Sequence, residues 1–75
     1  MNYGKRLKEY RETRGVGQQE LAEELDYAHA SQISRYESGE LKLSRTKLAE
    51  AVFAIEKIVE RRGKVADPAE VLGST

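Results

Sequence analysis

The chain has 75 residues, 39% of them hydrophobic, and its 13 Lys and Arg balance 13 Asp and Glu for a formal net charge of zero. That length makes one small domain with a limited core, and without cysteine neither a disulfide nor a Cys-based zinc site can support it. A single histidine excludes His-rich metal ligation, no apolar run approaches the ~20 residues of a membrane span, and the simplest footprint of a polyanion binder, a net positive charge, is absent.

The N-terminus lacks a signal-peptide core, so a soluble, cytoplasmic protein is expected. Valine and isoleucine are scattered and never alternate, and no hairpin dipeptide occurs, so the predicted class is all-α. The first predicted helix spans Tyr3 to Arg14, with Asn2 as its cap and Gly15 as its stop. Tyr3, Leu7 and Tyr10 form its inner stripe, and Arg11 sits at the stripe's edge. Val16 is the expected apolar plug before the second helix, and Gly17 caps that helix more weakly than Ser or Thr would.

The second helix is predicted from Gln18 to Leu25. Leu21 and Leu25 are one turn apart, and the small Ala22 beside them allows another helix to cross closely. A third helix runs from about Ala30 to Tyr36 or Glu37 and is stopped by Gly39. Ile33 and Tyr36 face one way; Ser31, Gln32 and Arg35 face the other. Two short helices joined tightly over residues 18–39 read as a helix-turn-helix, whose second helix can enter a DNA major groove.

After a loop from Glu40 to Leu43, Ser44 caps a fourth helix. Leu48, Val52, Ile55 and Val59, with Ala51 and Ile58 beside them, form a seam that continues to Arg62 and predicts one long helix. Its first half should close the core, while its second half needs another partner. Asp67-Pro68 is a helix-start signal, and Ala69 to Leu72 can form a further turn. Ile55, Ile58, Val59, Val71 and Leu72 are therefore the candidate dimer interface, within a dimerisation segment at 55–75.

Gln18, Leu21-Ala22, Leu25, Ile33-Ser34-Arg35, Glu37 and Gly39, in that order, with Arg11 upstream, resemble the Cro/C1-type helix-turn-helix domains of phage repressors and their bacterial relatives. The resemblance covers residues 3–55 and implies a compact four- to five-helix domain, here a single domain over 1–75 with a long helix after residue 44. Two positions depart from the family pattern. Asp26 stands where glycine is usual, at a turn that wants a left-handed backbone, and one extra residue lies within Asp26-Tyr27-Ala28-His29. Tyr27 replaces a buried aliphatic and is expected in the core with its hydroxyl at the edge.

The resemblance also implies roles. Arg11 and Glu37 should form a structural ion pair that bolts the first helix to the end of the third. Gln18 and Gln19, at the start of the second helix, should meet phosphate. The family often carries glutamine where this chain has Ala30, so base reading shifts toward Gln32 and Arg35, with Ser31 between them and the Ala30 methyl available to thymine. Lys42 is a phosphate candidate and Arg45 can reach toward the minor groove; apart from the resemblance, His29 precedes the third helix and can cap it or touch phosphate.

The implied function is sequence-specific binding of a double-stranded DNA operator as a Cro- or repressor-like homodimer, with no cofactor and no small-molecule substrate. An enzyme is not expected: the one histidine lies in a turn, and Gly15-Val16-Gly17 is too short for a phosphate loop. The alternative is a protein-interaction module of the same fold, antitoxin-like or an adaptor. Neutral charge and the apolar tail favour it; Gln18, Gln32, Arg35, Lys42 and Arg45 on one predicted face oppose it.

Overall fold

The computed structural model of the chain describes residues 2–65. Within them lie four α-helices and no strand: α1 (Tyr3–Thr13), α2 (Gln18–Glu24), α3 (Ser31–Ser38) and α4 (Arg45–Val65). The domain is all-α, as its sequence pattern indicates.

Several of the helix ends have a local cause. Asn2 Oδ1 accepts from the Lys5 N–H at 3.0 Å, satisfying one free amide of α1. At its other end the Gly15 N–H donates to Glu12 O and the Val16 N–H to Arg11 O, both at 3.0 Å, around a left-handed Gly15 at φ +68°. This crossed pair of bonds turns the chain sharply and drops Val16 into the core. The stop of α2 repeats it without glycine. Asp26, at φ 62°, donates to Glu23 O at 3.1 Å and Tyr27 to Ala22 O at 2.8 Å. Leu25 is thus the cap of α2 rather than its last residue. At α4, Ser44 Oγ accepts from the Lys47 N–H at 3.1 Å.

The helices pack in a ring, α1 on α3, α3 on α2, α2 on α4 and α4 on α1. Neither α3 and α4 nor α1 and α2 bring their backbones together. Leu7, Val16, Leu21, Ala22, Ile33, Tyr36, Leu43, Ala51, Ala54, Ile55 and Ile58 form the core, and Tyr3, Tyr10, Leu25, Tyr27 and Leu48 pack partly buried against it. The Tyr27 and Tyr36 rings lie 6.5 Å apart, tilted by 41°. The closest crossing is at Gly4. A Cβ there would overlap the Tyr36 carbonyl oxygen and lie 3.1 Å from its carbon and 3.3 Å from Glu37 Cα. Glycine is therefore what allows α1 to rest on the backbone of α3.

The fourth helix is continuous and runs through Gly63 to Val65. Its apolar side corrects the expected dimer patch. Ile55 and Ile58 are 0% and 3% exposed, enclosed in the chain's own core, because α1 and α2 both reach the second half of α4. Val59 is half-buried and packs on the same core. Val71 and Leu72 lie outside the described residues. The partner that the second half of α4 needs is thus α1 and α2.

Charged groups fasten the same contact. Arg14 Nε meets Glu56 Oε2 at 2.7 Å, with the Arg14 guanidinium 3.7 Å above the Tyr10 ring and the Tyr10 hydroxyl donating to Glu56. Arg62 donates to the Gly15 carbonyl at 2.9 Å and pairs with Glu20, while Arg61 pairs with Glu24 at 2.6 Å. The Tyr10 bond holds the Glu56 carboxyl below its ordinary value, helped by Arg14; the same bond to Glu56 raises the Tyr10 phenol. None of the described helices is long and apolar enough to cross a membrane.

Candidate nucleic-acid interface

The third helix is gripped from behind. Arg11 Nε donates to Glu37 Oε2 at 2.7 Å and its Nη2 to Glu37 Oε1 at 2.9 Å, a two-pronged ion pair whose side chains are only 9% and 3% exposed. Arg11 Nη1 donates to the Val16 carbonyl at 2.9 Å, and Gln18 Nε2 donates to Glu37 Oε1 at 3.0 Å. One carboxylate at the end of α3 thereby gathers α1, the α1–α2 turn and the start of α2. Among the described residues no buried side-chain N or O atom lacks a partner. The hydrogen bonds to Glu37 raise the Arg11 pKa above its ordinary value, against the opposing effect of burial.

The other side of α3 faces outward. Ile33, Tyr36 and Glu37 are buried, while Ser31, Ser34, Arg35 and Ser38 are exposed and Gln32 is half-buried. Arg35 and Gln32 thus border an open helix face that α4 does not cover. The helix begins one residue later than its sequence pattern: Ala30 is the N-cap residue, and its methyl packs partly buried against the core, away from a purely outward position. Ala30 lies one turn before Ile33 on the same side, and as the N-cap its carbonyl accepts from the Ile33 and Ser34 N–H groups.

The remaining candidates lie around this face or at its margins. Lys42 and Arg45 are exposed. His29 is exposed, and its carbonyl accepts from the Gln32 N–H at 3.2 Å. The Gln19 amide donates along its own helix to Glu23 at 3.1 Å. Gln18 is half-buried, with one amide N–H committed to Glu37. The start of α2 is less available than its sequence implies: the helix has only seven residues, and the Gly17 N–H already points at Glu20 Oε1, 3.4 Å away.

Three features of the site are absent from the sequence reading. Glu40 Oε2 stands 3.9 Å from Arg35 Nε, both side chains well exposed, and the Gly39 turn between them hides that proximity from helical spacing. Ser38 Oγ donates to Arg35 O at 3.1 Å and accepts from the Glu40 N–H at 3.3 Å, closing the end of α3. Gly4, the second residue of α1, sets the distance between α1 and α3; an unforced glycine inside a helix is itself a signal of close backbone approach.

No curated protein and no solved structure matches the chain. A family model described as a helix-turn-helix domain does, over residues 2–54, a span reaching from the cap of α1 through the first half of α4. That match covers more than half of the chain, including the α2–α3 pair and the Arg11–Glu37 brace, and the chain belongs to the helix-turn-helix domain family, of the Cro/C1 type.

Proposed function

We propose that the chain is a sequence-specific regulator of transcription that binds a double-stranded DNA operator as a cytoplasmic, repressor-like homodimer. One observation carries the reading: of the other helices, only α1 and α2 bring their backbones close to α3, and its outer face is polar, with Ser31, Gln32, Ser34 and Arg35 on it. A helix of this kind fits a major groove, where Arg35 suits the acceptor edge of guanine and Gln32 that of adenine. Lys42 and Arg45, beyond the end of α3, supply phosphate or minor-groove contacts. One short helix reads few base pairs, so two copies on paired half-sites complete the recognition.

The grip on Glu37 supports this role by fixing the angle at which α3 is presented. Arg11 acts there as a positioning residue and does not read bases. The experiment is selection of bound duplexes from random DNA, followed by titration of Arg35→Ala and Lys42→Ala on the selected and a scrambled sequence. Arg35→Ala should lose about 1–3 kcal/mol of discrimination, and Lys42→Ala should weaken both duplexes alike. If Arg35→Ala weakens both equally, α3 does not read the groove. If no duplex is selected at all, the interaction-module reading replaces this one.

A further inference from the structure

The outer side of α4 carries a feature that the DNA-reading face does not use. Phe53 is 65% exposed, the most exposed large apolar side chain among the described residues. It borders a shallow depression of about 330 Å³ lined by Glu24, Leu25, Glu50, Ala54 and Lys57. Glu50, Phe53 and Lys57 follow one another at three- and four-residue spacing, so they form a single stripe along the helix. Lys57 Nζ lies 5.2 Å from the centre of the Phe53 ring.

The charges on this stripe differ from those on the side of α4 that meets α1 and α2. Glu56, Arg61 and Arg62 all have partners on α1 or α2 or in the turn between them. Among the described residues, Glu50 and Lys57 make no ion pair. They cannot pair with each other, being about 10 Å apart along the helix at 1.5 Å per residue. They are, however, equidistant from the point between Phe53 and Ala54. Two copies of α4 laid antiparallel about a two-fold axis through that point bring each Glu50 against the other copy's Lys57, twice over. The same operation brings the two Phe53 rings side by side next to the axis, each at the edge of the depression beside Leu25.

We infer that the Phe53 stripe of α4 is the surface on which two copies of this chain pair, antiparallel and two-fold symmetric. A second copy is the occupant because the stripe is complementary to itself in charge, as a two-fold interface must be. The seam is narrow, below the area of a permanent dimer, so the pairing is a weak one that a shared DNA duplex reinforces. The surface rests on the dimeric reading above and is independent of what α3 contacts.

Sedimentation of the full chain without DNA tests it, from about 5 to 300 μM, the range in which such a seam dissociates. The wild type should pass from monomer to dimer across that range. Phe53→Asp should raise the dissociation constant by about tenfold or more while its circular dichroism and melting stay those of the wild type, since the ring is exposed. Glu50→Lys and Lys57→Glu should each weaken the dimer. The double reversal should restore it, and an equimolar mixture of the two single variants should form a heterodimer. A wild type monomeric throughout, or a dimer that Phe53→Asp leaves intact, overturns the surface; so does a double reversal that fails to rescue. Failure of DNA binding with these results intact would instead overturn the reading of α3.

Discussion

Removing the Glu37 carboxylate should be the most damaging polar substitution in the domain. In Glu37→Ala, Arg11 loses both prongs of its pair and keeps only the Val16 carbonyl, while the Gln18 amide loses its acceptor. A guanidinium whose side chain is only 9% exposed is then left largely uncompensated, which costs about 3–5 kcal/mol. A chain of 75 residues has a total stability of about 4–11 kcal/mol at the usual rate per residue, so the loss takes a large share of it. In a domain this small, each kcal/mol shifts the melting temperature by about 4–8 °C, which predicts a fall of about 12–40 °C. Thermal and urea unfolding followed by circular dichroism would measure it. The double variant Arg11→Met/Glu37→Met should recover much of the loss, because it leaves no stranded charge and fills similar volume. A Glu37→Ala melting temperature within about 4 °C of wild type, roughly 1 kcal/mol, would refute the assignment of α3's anchorage to this pair.

Gly4→Ala should invert the usual rule. Alanine ordinarily improves a helix by about 1 kcal/mol over glycine, but here its methyl meets the Tyr36 backbone, and urea unfolding should show a net loss of about 1–3 kcal/mol. Asp26→Gly should stabilise by about 0.5–1 kcal/mol by relieving the left-handed backbone at φ 62°; no gain in the denaturation midpoint would mean that aspartate carries that conformation without strain. For pH, Glu56 has a depressed folded value, so its contribution is present above the ordinary 4.5 and lost as pH falls through the depressed value. Tyr10 has a raised folded value, so its contribution is full below 10.0 and lost as pH rises through the raised one. Melting temperature against pH should therefore show shallower acid and alkaline limbs in Glu56→Gln, and unchanged limbs would place the Tyr10–Glu56 bond outside the energetics of folding.

What could be read from the sequence was what depends on spacing within one element. The caps at Asn2 and Ser44, the stop at Gly15, the left-handed Asp26 and the unbroken α4 all follow from local rules. What could not be read were relations between elements. The α4 seam was legible as apolar, but the sequence does not say that α1 and α2 extend far enough to cover Ile55 and Ile58. Glu20 and Glu24 of α2 find their partners about forty residues away on α4, at a separation no periodicity reports. Phe53 lies outside the apolar seam, and its exposure, which the sequence does not report, is what distinguishes it. Gln18 shows the same limit: its position at the start of α2 was clear, while the acceptor that holds its amide depends on where α3 ends.

The ring arrangement of the helices has a consequence for how two copies would act together. Since the backbones of α3 and α4 stay apart, a contact made on the outer side of α4 can reach α3 only through the core side chains they share or through α1 and α2. Those two helices are held rigidly, one by the Gly4 crossing and the Arg11–Glu37 brace, the other by Arg61 and Arg62. If two copies pair through α4 as inferred, this grip would keep the intrinsic affinity of each half-site near that of a single copy, with little coupling between the two surfaces. Any gain from joining two copies comes from effective concentration alone: once one copy is seated, the geometry of the pair sets how often its neighbour meets the adjoining half-site. Such a protein would be tuned by the spacing of its sites along the duplex, with no change of shape in the domain that reads them.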